Sequence, residues 1–303
     1  MGFKQVTIIG TGLIGGSLGL ALKKRRLAGK VVGCDREPVL QRARKRTAID
    51  EGTTNPADAT RGSDLVVLAT PVISILDLIG RLGPALPSRT LVTDVGSTKA
   101  EITKRAVKLF GRAAGQRFLA GHPMAGKEQA GVEFADADLF EGAAWLFTPL
   151  AKQNVYDGLC GEFVQCVEKL GAKVAVLDPA DHDRFCAWVS HLPQMMSTAL
   201  AAALVEEFGE DAPLLDIGGR ALREMTRISG SPYSMWRDVA ITNKKNLGDA
   251  LSKLEQRLAY IRENLDTKQL ADEFERAHQL RKSSPLGHPG KDRTGRAEGR
   301  LQK

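Results

Sequence analysis

The chain of 303 residues is 43% hydrophobic and 26% charged, proportions that exclude wholesale disorder and suggest about two domains. No apolar run approaches the roughly 18 residues of a membrane span. The opening Met1-Gly2-Phe3-Lys4 leads straight into a strand-like segment, without the charged, apolar and cleavage regions of a secretory leader, so a cytoplasmic setting is expected. The formal charge of +7 is concentrated at one end: residues 281–303 hold seven Lys or Arg against two Asp or Glu, which leaves no basic body for nucleic acid and no membrane-binding face.

In chain order, short apolar strands are expected at 6–9, 31–34, 65–69, 91–93, 118–120 and 145–147, with helical patterns between them at 17–27, 39–51, 72–82 and 98–110. Such alternation implies an α/β fold, a mostly parallel sheet covered on both faces. Thr98 with Glu101 three residues on reads as a capping box for the fourth helix. After a last strand at 173–177 the pattern turns helical, near 179–208, 214–229, 232–264 and 267–282. Pro193 should kink its helix, because it lacks a backbone donor and clashes with the preceding turn. Leu247, Leu251, Leu254, Leu258, Ile261 and Leu265 are spaced 4, 3, 4, 3, 4, an apolar seam that either packs in the core or meets a second subunit. The expected organisation is a sheet domain at 1–177, an all-helical domain at 178–282 and a disordered tail at 283–303, rich in Gly, Ser, Pro, Lys and Arg.

Cys34, Cys160, Cys166 and Cys186 include no Cys-x-x-Cys pair, so reduced structural thiols and no metal are expected. The clearest motif is Gly10-Thr11-Gly12-Leu13-Ile14-Gly15, between the first strand and the first helix. Gly10 permits the tight turn, Gly12 lets backbone approach a pyrophosphate, Gly15 lets helix and strand pack, and the helix N-terminus attracts the anion. Asp35, 20 residues after Gly15 at the end of the second strand, suits ribose hydroxyls and repels the 2′-phosphate of NADP, with Arg36 partly offsetting that repulsion. NAD is therefore the expected cofactor and NADP the less favoured one. Thr70 and Pro71, after the third strand, are assigned to the same cofactor edge.

Two further segments fall at strand ends, where open α/β sheets bind ligands. They are Thr93-Asp94-Val95-Gly96-Ser97-Thr98-Lys99 and Gly121-His122-Pro123-Met124-Ala125-Gly126-Lys127-Glu128. A histidine beside a nicotinamide is a natural base for a hydroxyl that loses hydride; the alternative for His122 is a ring satisfied by a loop carbonyl.

These segments, with Ser190-His191-Leu192-Pro193, Thr226-Arg227-Ile228 and Met235-Trp236-Arg237-Asp238, resemble the prephenate/arogenate dehydrogenases of tyrosine biosynthesis. The resemblance implies a Rossmann-like N-terminal domain and a helical C-terminal domain that builds an intertwined homodimer, which turns the leucine seam toward the interface reading. It implies His122 as catalytic base with Ser97 as its partner, Arg227 as the cation for the substrate's ring carboxylate, His191 and Glu128 lining the pocket, and Trp236 offered by the other subunit. Arg223 keeps a basic residue of the family pattern, whereas Arg220, Ala221 and Leu222 depart from it, which leaves prephenate and arogenate both open as substrate. Tyrosine enters as a candidate inhibitor. The competing readings are another Rossmann-plus-helical dehydrogenase, of the β-hydroxyacid type, and an NAD-binding sensor without turnover.

Overall fold

The computed structural model describes residues 2–150, 152–209 and 217–283. Its first half alternates β1 (Phe3–Ile9), α1 (Leu13–Lys24), β2 (Ala28–Cys34), α2 (Glu37–Lys45), β3 (Glu51–Thr53), α3 (Pro56–Ala59), β4 (Leu65–Leu68), α4 (Val72–Leu82), β5 (Leu91–Asp94), α5 (Ala100–Phe110), α6 (Ala114–Arg117) and β6 (Phe118–Pro123). Then come β7 (Ala144–Thr148), α7 (Gly158–Lys169) and β8 (Lys173–Val176). The strands form one sheet in the order β3-β2-β1-β4-β5-β6-β7-β8. Every pairing is parallel except β6 with β7.

The chain starts at the sheet's centre, winds outward to β3, and returns to the other side of β1. The direction of winding therefore reverses between β1 and β4, and the crevice at their carboxyl ends is where such sheets bind ligands. Side chains alternate along the strands, so the sheet is buried on both faces. Val6 and Ile8 pack with Leu18, Leu22 and Leu40 on one side, while Ile9 packs with Leu68, Ile75 and Ile102 on the other. The antiparallel end of the sheet holds Trp145, fully buried among Phe140, Phe147 and Phe163.

The rest is helical: α8 (Pro179–Cys186), α9 (Leu192–Phe208), α10 (Arg220–Thr226), α11 (Tyr233–Thr242), α12 (Lys244–Glu263) and α13 (Lys268–Ser283). The distortion expected at Pro193 takes the form of a π-helical turn, Ala187–His191, just before it. The wider turn absorbs the ring's steric demand and its missing donor. The helix expected over 232–264 is broken at Asn243, whose side chain is engaged elsewhere, as described below. The strand β3 and the helices α3, α6 and α7 were not anticipated. The three residues of β3 are too few and too polar to show a pattern. The helix α7 does carry one: Cys160, Phe163, Val164 and Val167 share a buried face.

The capping box expected at Thr98 and Glu101 does not form. The Thr98 hydroxyl instead meets that of Thr242 at 2.8 Å, and α5 begins after Lys99 with no local side-chain cap.

Residues through Ala250 make one compact unit, so helices α8 to α11 share a core with the sheet; Leu251 onward makes a second unit. Within the second unit, Arg257 and Arg276 both reach Glu273, at 3.0 and 2.9 Å. Leu258, Leu265, Phe274 and Leu280 lie exposed there. Of the expected seam only Leu247 is buried in the single chain. The basic tail at 284–303 and the start of the helical pattern at 214–216 lie outside the described residues. Among the described residues no helix is long and apolar enough to cross a membrane.

Candidate active site

The crevice between β1 and β4 is lined by the glycine turn. Gly10 has φ +94°, and a Cβ there would sit 2.5 Å from the Ala69 carbonyl oxygen. A Cβ on Gly15 would sit 1.9 Å from the Gly10 oxygen, so helix and strand approach only because both are glycine. At Gly12, by contrast, a Cβ meets nothing within 4 Å; the space above the N-terminus of α1 is open. Leu13 and Ile14 form that first helical turn, and Pro71 precedes α4.

Asp35 ends β2 with its carboxylate held in place, accepting from the Thr11 amide at 2.8 Å and from the Arg36 amide at 2.8 Å. A cleft of about 700 Å³ runs past Gly10, Asp35, Arg36, Thr70 and Arg81. Of the expected cofactor residues, Gly10, Asp35, Arg36 and Thr70 line this cleft. The buried Thr70 hydroxyl there has no partner among the described residues.

Two carboxylates of the helical segment terminate helices of the sheet layer. Asp183 on α8 accepts from the amides of Lys99 and Ala100, at 2.6 and 2.9 Å, at the start of α5. Asp238 on α11 accepts from the Ile73 amide at 3.0 Å, at the start of α4. Each meets orphan N–H groups and the positive end of a helix dipole. The loops after β4 and β5 are thereby fixed by helices far away in sequence.

His122 closes β6 and keeps 7% of its surface exposed. Its Nδ1 lies 2.9 Å from Nε2 of His182, and Nδ1 of His182 lies 2.9 Å from Oδ1 of Asp183. The proton positions follow from the chain of partners. Oδ1 of Asp183 already accepts from the Lys99 amide, so it receives the His182 Nδ1–H as well. His182 Nε2 is then an acceptor, and His122 Nδ1 donates to it. Nε2 of neutral His122 is left with a free lone pair and has no partner among the described residues.

Burial pushes the pKa of His122 well below 6.5, and the neighbouring His182, Lys99 and His191 lower it further, so the ring is a neutral acceptor at physiological pH. Cys186, one turn beyond His182, packs against the pair; burial pushes its thiol up to about 12.

Beneath His122 lies a fully buried ion pair between Lys99 and Asp94. Lys99 Nζ also donates to the Gly121 carbonyl at 2.7 Å, so the peptide preceding His122 is tied to the loop after β5. Burial pulls Asp94 up and Lys99 down, while their mutual attraction opposes both. Ser97 lies half-buried in that same loop, which follows the strand neighbouring β6.

His191 is buried, and its Nδ1 lies 3.2 Å from Nδ2 of Asn243. Asn243 Nδ2 also donates to the Asp183 carbonyl at 2.7 Å, which fixes the amide's orientation and leaves the His191 proton on Nε2. Among the described residues neither that Nε2–H nor the buried Nε1–H of Trp236 makes a hydrogen bond of normal geometry, although the Ser97 backbone acts on the His191 ring; the Trp236 ring stands edge-on to His191 with centroids 6.1 Å apart. Two adjacent unmet donors are a site for an acceptor group such as a carboxylate. Burial pushes the pKa of His191 down to about 4, so it donates as a neutral ring.

Within the single chain Trp236, on α11, stands beside His191, and α11 packs on α4 through Asp238. Arg227 and Glu128 form an ion pair, Arg227 largely exposed and Glu128 one-third exposed. Arg223, on α10, is exposed.

The sequence reading missed His182, Asp183 and Asn243. The His-Asp pair at the start of a helical run was visible, but nothing local indicates that its partners stand 60 to 84 residues away.

A dinucleotide cleft at the sheet's switch point, with a buried, neutral, pre-aligned histidine on a nearby strand, defines a Rossmann-type oxidoreductase with an appended helical substrate segment. The profile of the prephenate dehydrogenase nucleotide-binding domain matches residues 18–176, and that of the prephenate dehydrogenase dimerization domain matches residues 178–280. The chain belongs to the prephenate dehydrogenase family. It is 30% identical over 292 residues to the prephenate dehydrogenase of Lactococcus lactis, covering 95% of this chain and 79% of that one. Among solved structures it is similar to the A. aeolicus prephenate dehydrogenase in complex with hydroxyphenyl propionate and NAD+, at 30% identity and TM-score 0.78, over 93% of this chain and 96% of that one. It is also similar to the Synechocystis arogenate dehydrogenase, at 29% identity and TM-score 0.71, over 92% and 98%.

Asp183→Asn separates this site from its scaffold. An amide cannot accept at all the positions the carboxylate serves, so the α5 cap and the His182 orientation are lost together. Stability measured by denaturant should fall by about 1–2 kcal/mol, and turnover by roughly 10²–10⁴-fold, the usual worth of a positioned base. Unchanged turnover in a folded variant would remove Asp183 from the relay.

Proposed function

We propose that the chain catalyses NAD-dependent oxidative decarboxylation of prephenate to 4-hydroxyphenylpyruvate, and of arogenate to tyrosine where that substrate is offered. The observation that carries this reading is the His122–His182–Asp183 chain, which leaves an unprotonated Nε2 at the end of β6.

The residues present fit NAD. Gly10, Gly12 and Gly15 give backbone access to a pyrophosphate, and the fixed Asp35 carboxylate suits ribose hydroxyls while repelling a 2′-phosphate. When bound, the nicotinamide supplies the hydride acceptor.

The protein's own work is binding and proton transfer. Arg227 receives the ring carboxylate, exchanging Glu128 for it. The unmet donors of His191 and Trp236 meet acceptors of the substrate's side chain. His122 Nε2 takes the proton of the ring hydroxyl as hydride departs, with Ser97 as a second hydrogen-bonding group at that hydroxyl. As positive charge forms on His122, Asp183 stabilises it through His182. The developing ketone draws electrons through the ring, the ring carboxylate leaves as CO2, and aromatisation makes the step irreversible. Arg223, the basic residue that the family pattern keeps, is assigned to selection of the side chain. Tyrosine, which shares the aromatic product's side-chain carboxylate, is a candidate inhibitor at the same donors.

The chain is proposed to act as a homodimer in the cytoplasm. The exposed Leu258, Leu265, Phe274 and Leu280, in a segment whose profile is that of a dimerization domain, support the assembly.

Turnover with prephenate or arogenate, followed by absorbance of the reduced cofactor, tests the reading. His122→Asn should cut kcat by roughly 10²–10⁴-fold with little change in KM. Arg227→Ala should chiefly raise KM, by roughly 10–150-fold, since it removes a charge-assisted hydrogen bond of about 1.5–3 kcal/mol. Because the neutral ring is the competent form and its pKa is depressed well below the ordinary 6.5, activity should hold through neutral pH and past pH 6.5, and fall only at pH well below that. The kcat/KM for NAD should exceed that for NADP at least about tenfold. Full kcat in His122→Asn would show that another group is the base.

The assembly has its own check. Sedimentation should give about twice the chain mass at micromolar concentration, and Leu258→Asp with Leu265→Asp should release monomer by burying unpaired charge in the contact. An unaltered dimer in that double variant would place the interface elsewhere.

A further inference from the structure

We propose that His122, His182 and Cys186 form a binding site for a zinc-like divalent ion, and that an ion held there switches the catalytic base off. Its consequence for turnover rests on His122 being the base; its formation does not.

The ligand atoms come from two elements that the fold presses together. His182 and Cys186 lie one turn apart on α8 and so share a face. His122 meets them from the end of β6. The Sγ of Cys186 is 3.5 Å from His182 Nε2 and 3.9 Å from His122 Nδ1, and the two nitrogens are 2.9 Å apart. A tetrahedral zinc with Zn–N of about 2.0–2.1 Å and Zn–S of about 2.3 Å needs N–N near 3.3 Å and N–S near 3.6 Å. Each observed separation is within about half an ångström of that requirement.

All three residues are buried, and the three ligand atoms lie within 4.8 Å of one another. Two imidazoles and a thiolate are a borderline-to-soft set, suited to zinc and unsuited to magnesium or calcium. The outer contact of a good site is already built: Asp183 holds the His182 Nδ1–H and aims Nε2 at the position between the three residues. The charge balance is acceptable too. The nearby Lys99 is neutralised by Asp94, and Asp183 supplies a further negative charge.

The protons balance as follows. The Cys186 thiol gives its proton to solvent, and the sulfur donates an electron pair to the ion. His182 Nε2, already unprotonated, donates directly. His122 Nδ1 gives up its proton to bind, and the ring regains one from solvent on Nε2. The imidazole stays neutral, but its only free lone pair is gone, so it cannot accept the proton of a substrate hydroxyl. Three protein ligands leave a fourth position for water, so the ion remains reachable by a chelator.

The test starts from chelator-treated, metal-free protein. Cobalt(II) should bind at one per chain and give a thiolate-to-cobalt charge-transfer band in the near ultraviolet, with the visible bands of a tetrahedral ion. Zinc should abolish them. Zinc should also stop turnover reversibly, with chelator restoring it. Cys186→Ala removes a ligand that takes no part in the proton path. It should keep turnover, lose the charge-transfer band, and require at least about tenfold more zinc for half inhibition. Absence of the band in the wild type, or equal zinc sensitivity in Cys186→Ala, would overturn the site. A band that appears without loss of turnover would overturn the switch and the assignment of His122 as base, while leaving the ion site standing.

Discussion

The carboxylate of Asp183 is where scaffold and chemistry meet. One oxygen takes the Lys99 amide and the His182 ring, the other takes the Ala100 amide, and the residue's own carbonyl takes Asn243. A buried carboxylate is costly unless every acceptor position is used. Here the carboxylate's donors are the two amides at the N-terminus of α5 and an imidazole, and meeting that demand brings the loop after β5, the end of β6 and the start of the helical segment into one geometry. Asp238 repeats the device at α4. Together the two acids tie helices α8 to α11 into the sheet's compact unit.

The same contacts decide protonation. His122 is buried, surrounded by other imidazoles and by Lys99, and its neutral form is favoured by desolvation first and by those charges second. A base must be unprotonated before reaction and must tolerate charge during it. The first need is met by burial, the second by a hydrogen-bonded path to Asp183 that strengthens only as charge develops. His191, likewise neutral, faces the opposite way in function: Asn243 occupies its acceptor nitrogen, leaving a donor beside that of Trp236. One histidine is set to accept and the other to donate, each by what holds its far nitrogen.

What could be read from the sequence was local. The turn from Gly10 to Gly15 and the acid at Asp35 carry their meaning within a few dozen residues, since each glycine is required by backbone contacts of its own strand-turn-helix unit. The strands of the sheet were legible because burial on both faces makes them near-continuous apolar runs. The capping of α5 was not, because Thr98 and Glu101 offered a local partner and the fold supplied a stronger distant one. His182 and Asn243 stayed silent for the same reason: their roles exist only after α8 and α11 have packed. The seam from Leu247 to Leu265 had the right spacing for either core or interface; in the single chain Leu247 is buried, Leu251, Leu254 and Ile261 are half-buried and Leu258 and Leu265 are exposed, a gradation that periodicity could not show.

The central claim is that the chain of contacts from Asp183 fixes His122 as the Nδ1–H tautomer with an open Nε2. Long-range proton–nitrogen correlation spectra of the labelled histidines at neutral pH read this directly. The account predicts a protonated Nδ1 and an unprotonated Nε2 for both His122 and His182, and a protonated Nε2 for His191. A protonated Nε2 on His122 would contradict it, because that ring would have no lone pair to offer a substrate hydroxyl.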